Sequence, residues 1–301
     1  MRCVSVDRVQ KTIKIVATGT ILFFLGLSLR RDWRGVSDYI WNAQPWLLSL
    51  SFIFMLAQWF MTALEWKVIV RSLGGELGLR KGMRIYFLSN LGRYIPGSVW
   101  YVLGRAYLGE REEVSAAVVS TSIVMENALA TVSGTFLSAL ASPLFLSQYG
   151  RGSLYAGMAI VALGLIFLHP SLMSWLLNLL ARLLRSSSGV TPVGGYLATL
   201  GLLLGYTFIW AFRGIAFFML LYSLCPIPLA WLPTIGGILA ASYIVGFLVP
   251  FAPGGLGVRE GVIVLLLGQY VPLPAAAAAA ILLRIWSTLS ELIWAGVSMA
   301  L

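Results

Sequence analysis

Eight ionisable residues stand inside or at the edge of apolar runs in this chain: Arg93, Arg105, Arg213, Arg259 and Arg284, with Glu126, Glu260 and Glu291. A charge in such surroundings is costly unless something opposite meets it, so each is a candidate for function. Ion pairs between helices would satisfy some of them structurally. The count does not close, because five arginines face three carboxylates. An unpaired buried guanidinium is expensive, and its planar fork of donors fits phosphate bidentately. The set therefore points to a visiting anion, with a phosphate head group the simplest. A zwitterionic or singly charged lipid also fits, the Glu residues then taking its ammonium. Glu126 lies about 18 Å along its helix from Val114, and Arg284 about 14 Å beyond Ala275, at the helical rise per residue. Arg284 and Glu291 share a helix face two turns apart. They are expected to face one cavity rather than each other.

Four of these eight belong to two segments with a common character. The first is NLGRYIPGSVWYVLGR, Asn90 to Arg105, with Arg93, Pro96, Gly97 and Arg105. The second is PFAPGGLGVRE, Pro250 to Glu260, with Pro253, Gly254, Gly255, Gly257, Arg259 and Glu260. Pro removes a backbone donor and Gly loosens the chain, so a helix cannot run straight through either. Broken backbone at membrane depth is tolerated only where protein or a wet cavity receives it. Interrupted helices in corresponding positions of two halves point to a transporter site built from repeats. Taken singly, each break fits an ordinary interfacial loop better; it is the pair that shifts the balance.

The elements that must carry these residues follow from composition. Apolar residues make up 59% of the 301, charged residues 11%, and mean hydropathy is +0.89. A soluble chain needs about twice that charge on its surface, so lipid must replace water here. Spans about 20 residues long are predicted at 13–30, 46–65, 114–140, 153–169, 196–223 and 275–299. Residues 84–105 and 234–269 are predicted as re-entrant or broken helices. An amphipathic surface helix is expected at 171–185 and a linker at 186–195. The fold class is an all-α polytopic membrane protein, one transmembrane domain over 1–301, with inverted-repeat halves at about 1–185 and 196–301. N-terminal basic residues followed by the apolar run from Ile15 to Leu29 lack a small-residue cleavage site, so the first span is read as retained.

Charge is lopsided, with 21 Lys and Arg against 11 Asp and Glu, a net +10. Nucleic acid is one destination for such a chain, but flanking positives on apolar spans fit an anionic membrane face better. Basic clusters at 66–84 and 182–185 are expected in the cytoplasm, and the loops at 141–152 and 225–233 outside. That places both termini in the cytoplasm, in an inner membrane, although the mixed charges of 30–45 fit this orientation less well. Cys3 and Cys225 form no disulfide framework or metal cluster, and His169, before Pro170, reads as interfacial.

GRYIPGSVWYVLGR and APGGLGVREG resemble the lysylphosphatidylglycerol synthase transmembrane-region family, described as flippase-like. The resemblance covers most of the chain. It implies movement of aminoacylated phosphatidylglycerol between leaflets, and it carries over to the Arg, Pro, Gly and Glu residues named in the two motifs. The chain stops at Leu301, straight after its last span, so no synthase domain is expected and the lipid is left open.

Three function classes remain. The first is a lipid translocator taking an anionic or polyprenyl-phosphate-type lipid, without cofactor and, lacking a phosphate-binding P-loop, without ATP in this chain. Glu126 or Glu291 would then be candidate proton carriers. The second is a membrane enzyme with a polyprenyl-phosphate-linked donor, disfavoured because no Asp-x-Asp occurs and every Asp precedes residue 39. The third is a non-transporting scaffold. A homo-oligomer is compatible with each, and nucleic acid binding is not expected.

Overall fold

The computed structural model describes residues 33–94, 99–140, 196–249 and 255–300, with isolated positions at 155, 159 and 162. The predicted elements at 13–30, 153–169, 171–185 and 186–195 lie outside these, apart from those isolated positions. All nine elements longer than one turn among the described residues are α-helices. They are α1 (Trp33–Trp41), α2 (Pro45–Ser72), α3 (Leu79–Asn90), α4 (Trp100–Glu110), α5 (Ala116–Leu140), α6 (Tyr196–Leu224), α7 (Leu232–Leu248), α8 (Val258–Leu267) and α9 (Leu273–Ala300).

Among the described residues, five stretches are long and apolar enough to cross a membrane: Pro45–Ser72, Ala116–Ser138, Leu197–Leu224, Leu229–Phe247 and Leu273–Ala300. The chain is an integral, all-helical membrane protein. Three of these match their predicted spans within two or three residues. The second span differs, because α2 runs on through Lys67 and Arg71 to Ser72. Trp66, one residue past the predicted end of that span, is fully buried. The polar stretch 66–84 is thus the last turn of α2, a turn rich in Gly74, Gly75 and Gly78, and the start of α3. The stretch Leu229–Phe247 falls where a broken segment is predicted from 234. Its helix α7, entered through Pro233 in the first turn, is by itself long enough, with the 3-10 turn before it, to traverse the apolar layer.

The principal pairing is α2 with α6. They run antiparallel: the Gln44 N–H donates to the Ser223 carbonyl at 3.0 Å, and the Ser51 hydroxyl to the Ala216 carbonyl at 2.7 Å. Helix α7 packs on α5 and α6. Gly214 and Gly236 let α6 and α7 approach closely, since a Cβ on Gly214 would stand 3.2 Å from the Gly236 Cα. Each broken segment is a pair of helices packed on each other, α3 with α4 and α7 with α8, and both α3 and α8 lean on α9. Pro96, Gly97, Pro253 and Gly254 lie outside the described residues.

Candidate functional site

Between these helices is a cavity of about 430 Å³. Its wall includes Arg93, Arg105, Arg213, Arg259, Arg284, Glu126, Glu260, Glu291 and Gly255. All eight ionisable residues singled out above therefore face one space. Gly257 caps the start of α8.

Three ion pairs account for the carboxylates. Arg105 Nη1 donates to Glu126 Oε2 at 2.6 Å. The same guanidinium reaches Asn90 Oδ1 at 2.6 Å and Ser89 Oγ at 3.1 Å. It lies over the rings of Tyr86 and Trp66. The Tyr86 hydroxyl donates to the other Glu126 oxygen at 2.7 Å. Arg105 is fully buried and its donors are largely satisfied, so it is a structural tie between α4 and α5 that the cavity touches. Arg93 Nη1 meets Glu291 Oε1 at 3.5 Å, while its Nη2 donates to Asn90 Oδ1 at 3.0 Å. The Tyr94 hydroxyl donates to Glu291 Oε2 at 2.6 Å. Arg284 stands 3.8 Å from Glu260 Oε1. Glu260 also closes the start of α8, its Oε2 accepting the Gly257 N–H at 2.8 Å. Arg284 and Glu291, on one helix, thus pair across the cavity with other elements.

Arg213 and Arg259 have no carboxylate partner among the described residues. Arg213 is held by α2: its Nε donates to Gln58 Oε1 at 2.6 Å and its Nη2 to Thr62 Oγ1 at 3.4 Å. Arg259 makes no hydrogen bond there, and its Nε is buried without an acceptor. Its side chain threads between two glycines. A Cβ on Gly246 would stand 2.5 Å from its Cγ, and one on Gly255 would stand 2.8 Å from its Nε. Gly255 also has φ +71°, where a side chain is strained. Both guanidiniums lie against one ring, with Arg259 4.2 Å and Arg213 5.7 Å from the Tyr243 centroid. Trp59 Nε1, a donor that can never accept, is likewise buried in the wall without a partner.

The aromatic lining was not legible beforehand. Trp59, Tyr86, Tyr101, Trp210 and Tyr243 carry the arginines, but aromatics in apolar spans are equally at home in packing or at interfaces. Gln58 and Thr62, polar and four residues apart, were the available signal. Glu65 was missed as well. It continues the same face of α2 and packs over Gly205 of α6, where a Cβ would overlap its Oε1.

These features define a helical membrane protein with a cationic, donor-rich cavity enclosed by broken helices. The sequence comparison gives the relationship directly: the chain belongs to the family described as lysylphosphatidylglycerol synthase TM region, matched over residues 12–295. Comparison with curated proteins gives no match.

Proposed function

We propose that the protein moves a phosphate-bearing lipid between leaflets, with the head group held in the arginine cavity and the acyl or prenyl chains remaining in the bilayer. One observation carries this reading: Arg213 and Arg259 face a shared space without a counter-charge among the described residues. Buried cations in that state call for an anion, and orphaned donors call for acceptors. A phosphate supplies both, accepting the two-pronged guanidinium donation that a single ammonium does not give. Membership of a family concerned with membrane lipids supports a lipid as the carrier of that phosphate. The two broken segments border one cavity, which suits alternating access by an inverted repeat. On this reading Glu126 and Glu291 are neutralised by Arg105 and Arg93 and hold the walls, rather than binding an ammonium.

The alternative of a membrane enzyme uses the same cavity but leaves a chemical trace. Purified protein in liposomes, given a fluorescent anionic phospholipid in one leaflet, is expected to equilibrate it between leaflets and return it unmodified by mass spectrometry. Exchange no faster than in protein-free liposomes, or conversion of the lipid to a new product, would overturn the proposal.

A further inference from the structure

The lining charges specify more than an anion. Among the described residues, five guanidiniums and three carboxylates border the cavity, and each carboxylate is matched by one arginine. The surplus is two positive charges, and both belong to arginines beside the Tyr243 ring. A ligand with one negative charge would leave a second buried cation uncompensated. A net neutral or cationic head group would leave both, with its ammonium placed among like charges and no free carboxylate to receive it.

Donor chemistry agrees. A guanidinium has five N–H donors. Arg213 uses two toward Gln58 and Thr62, Arg259 uses none among the described residues, and Trp59 Nε1 adds another without an acceptor. The pair therefore offers a surplus of donors from two directions. A phosphodiester exposes two unesterified oxygens, whereas a terminal phosphomonoester exposes three and a diphosphate more. Both guanidiniums border the same cavity and lie 5.7 Å and 4.2 Å from the centroid of the Tyr243 ring.

Resting on the reading of the cavity as a lipid phosphate site, we infer that its ligand is a lipid with two negative charges on phosphoryl oxygens, a phosphomonoester or a diphosphate. Phosphodiester and aminoacyl head groups are poor fits. Arg213 and Arg259 are the specificity-determining residues.

The test uses the full chain in nanodiscs and proteoliposomes. Phosphatidate, a polyprenyl diphosphate, phosphatidylglycerol, phosphatidylethanolamine and lysylphosphatidylglycerol are compared for binding, by thermal shift, and for leaflet exchange. At least one of the first two is expected to bind about tenfold or more tightly than any of the others, and the better of the two identifies the phosphoryl source. Arg213→Gln and Arg259→Gln should each shrink that preference toward unity. Arg259→Lys, which keeps the charge, should retain part of it and guards against a variant that fails to fold. Equal or tighter binding of phosphatidylglycerol or lysylphosphatidylglycerol would overturn the inference while leaving translocation standing. Selective binding of phosphatidate or the diphosphate without exchange would support the inference and sink translocation instead. Binding of none of the five would overturn both.

Discussion

Removing the Glu126 carboxylate should unmake the tie between α4 and α5. That carboxylate takes Arg105 on one oxygen at 2.6 Å and Tyr86 on the other at 2.7 Å, and the arginine is fully buried. Breaking a buried pair by deleting one partner costs about 3–5 kcal/mol, because the other charge is stranded. A stranded hydroxyl adds about 1–3 kcal/mol. Arg105 keeps Asn90 and Ser89, which holds the total for Glu126→Ala near the lower end, about 4 kcal/mol. At roughly 2 °C per kcal/mol for a chain of this size, the thermal midpoint should fall by roughly 8 °C. Intrinsic tryptophan fluorescence in detergent is a suitable monitor, since Trp66 lies 5.0 Å from the Arg105 guanidinium. Replacing both partners by Met should recover at least half of the loss, as neither charge then remains. A Glu126→Ala midpoint within about 1 °C of the parent, or a double variant as unstable as the two single losses added, would refute the reasoning.

Other outcomes follow from the same geometry. Gly246→Ala places a methyl 2.5 Å from the Arg259 Cγ, so the side chain or α7 must shift; lipid exchange should fall about tenfold together with the thermal midpoint, and unchanged exchange would mean that the position of Arg259 does not matter. Gly205→Ala displaces Glu65; it should lower the thermal midpoint, and Glu65→Ala in the same chain should restore it, whereas equal midpoints for single and double variants would remove this contact from the account. Because α2 and α6 are antiparallel, single cysteines at the exposed positions 76 and 229, in a chain with Cys225 and Cys3 replaced by Ser, should react with an impermeant thiol reagent from opposite faces of the membrane. Reaction of both from one face would contradict the packing.

The fold class was readable because lipid exposure leaves composition no latitude: long apolar runs with sparse charge can only be helices in a bilayer. Spans within 114–140, 196–223 and 275–299 each follow a charged or Pro-containing stretch that marks their start. The end of α2 was not, because Lys67 and Arg71 look like an exit from the membrane, while Trp66 and Ile69 beside them are buried against other helices. Packing, not local polarity, extends that helix. The segment from 234 reads as broken because of Pro250 and the glycines after it, while the run before Pro250 is by length and composition apolar enough for a span. At the site, arginines announced themselves because charge in apolar sequence is rare. Their partners did not, since which Glu meets which Arg depends on helix crossings no spacing encodes. The arginine slot between Gly246 and Gly255 joins two helices across a break, and neither glycine alone suggests it.

The central claim is that Arg259 binds a lipid phosphate during transfer. The most direct measurement is leaflet exchange of a labelled anionic lipid in proteoliposomes carrying Arg259→Gln or Arg259→Lys, each checked by a thermal melt. The account predicts that the Gln variant melts within a few degrees of the parent, since no ion pair among the described residues is lost, and that its exchange drops to the protein-free rate. The Lys variant should recover only part, because a single ammonium cannot grip phosphate with two parallel donors. Exchange at the parent rate in Arg259→Gln, or collapse of folding in that variant, would contradict the claim.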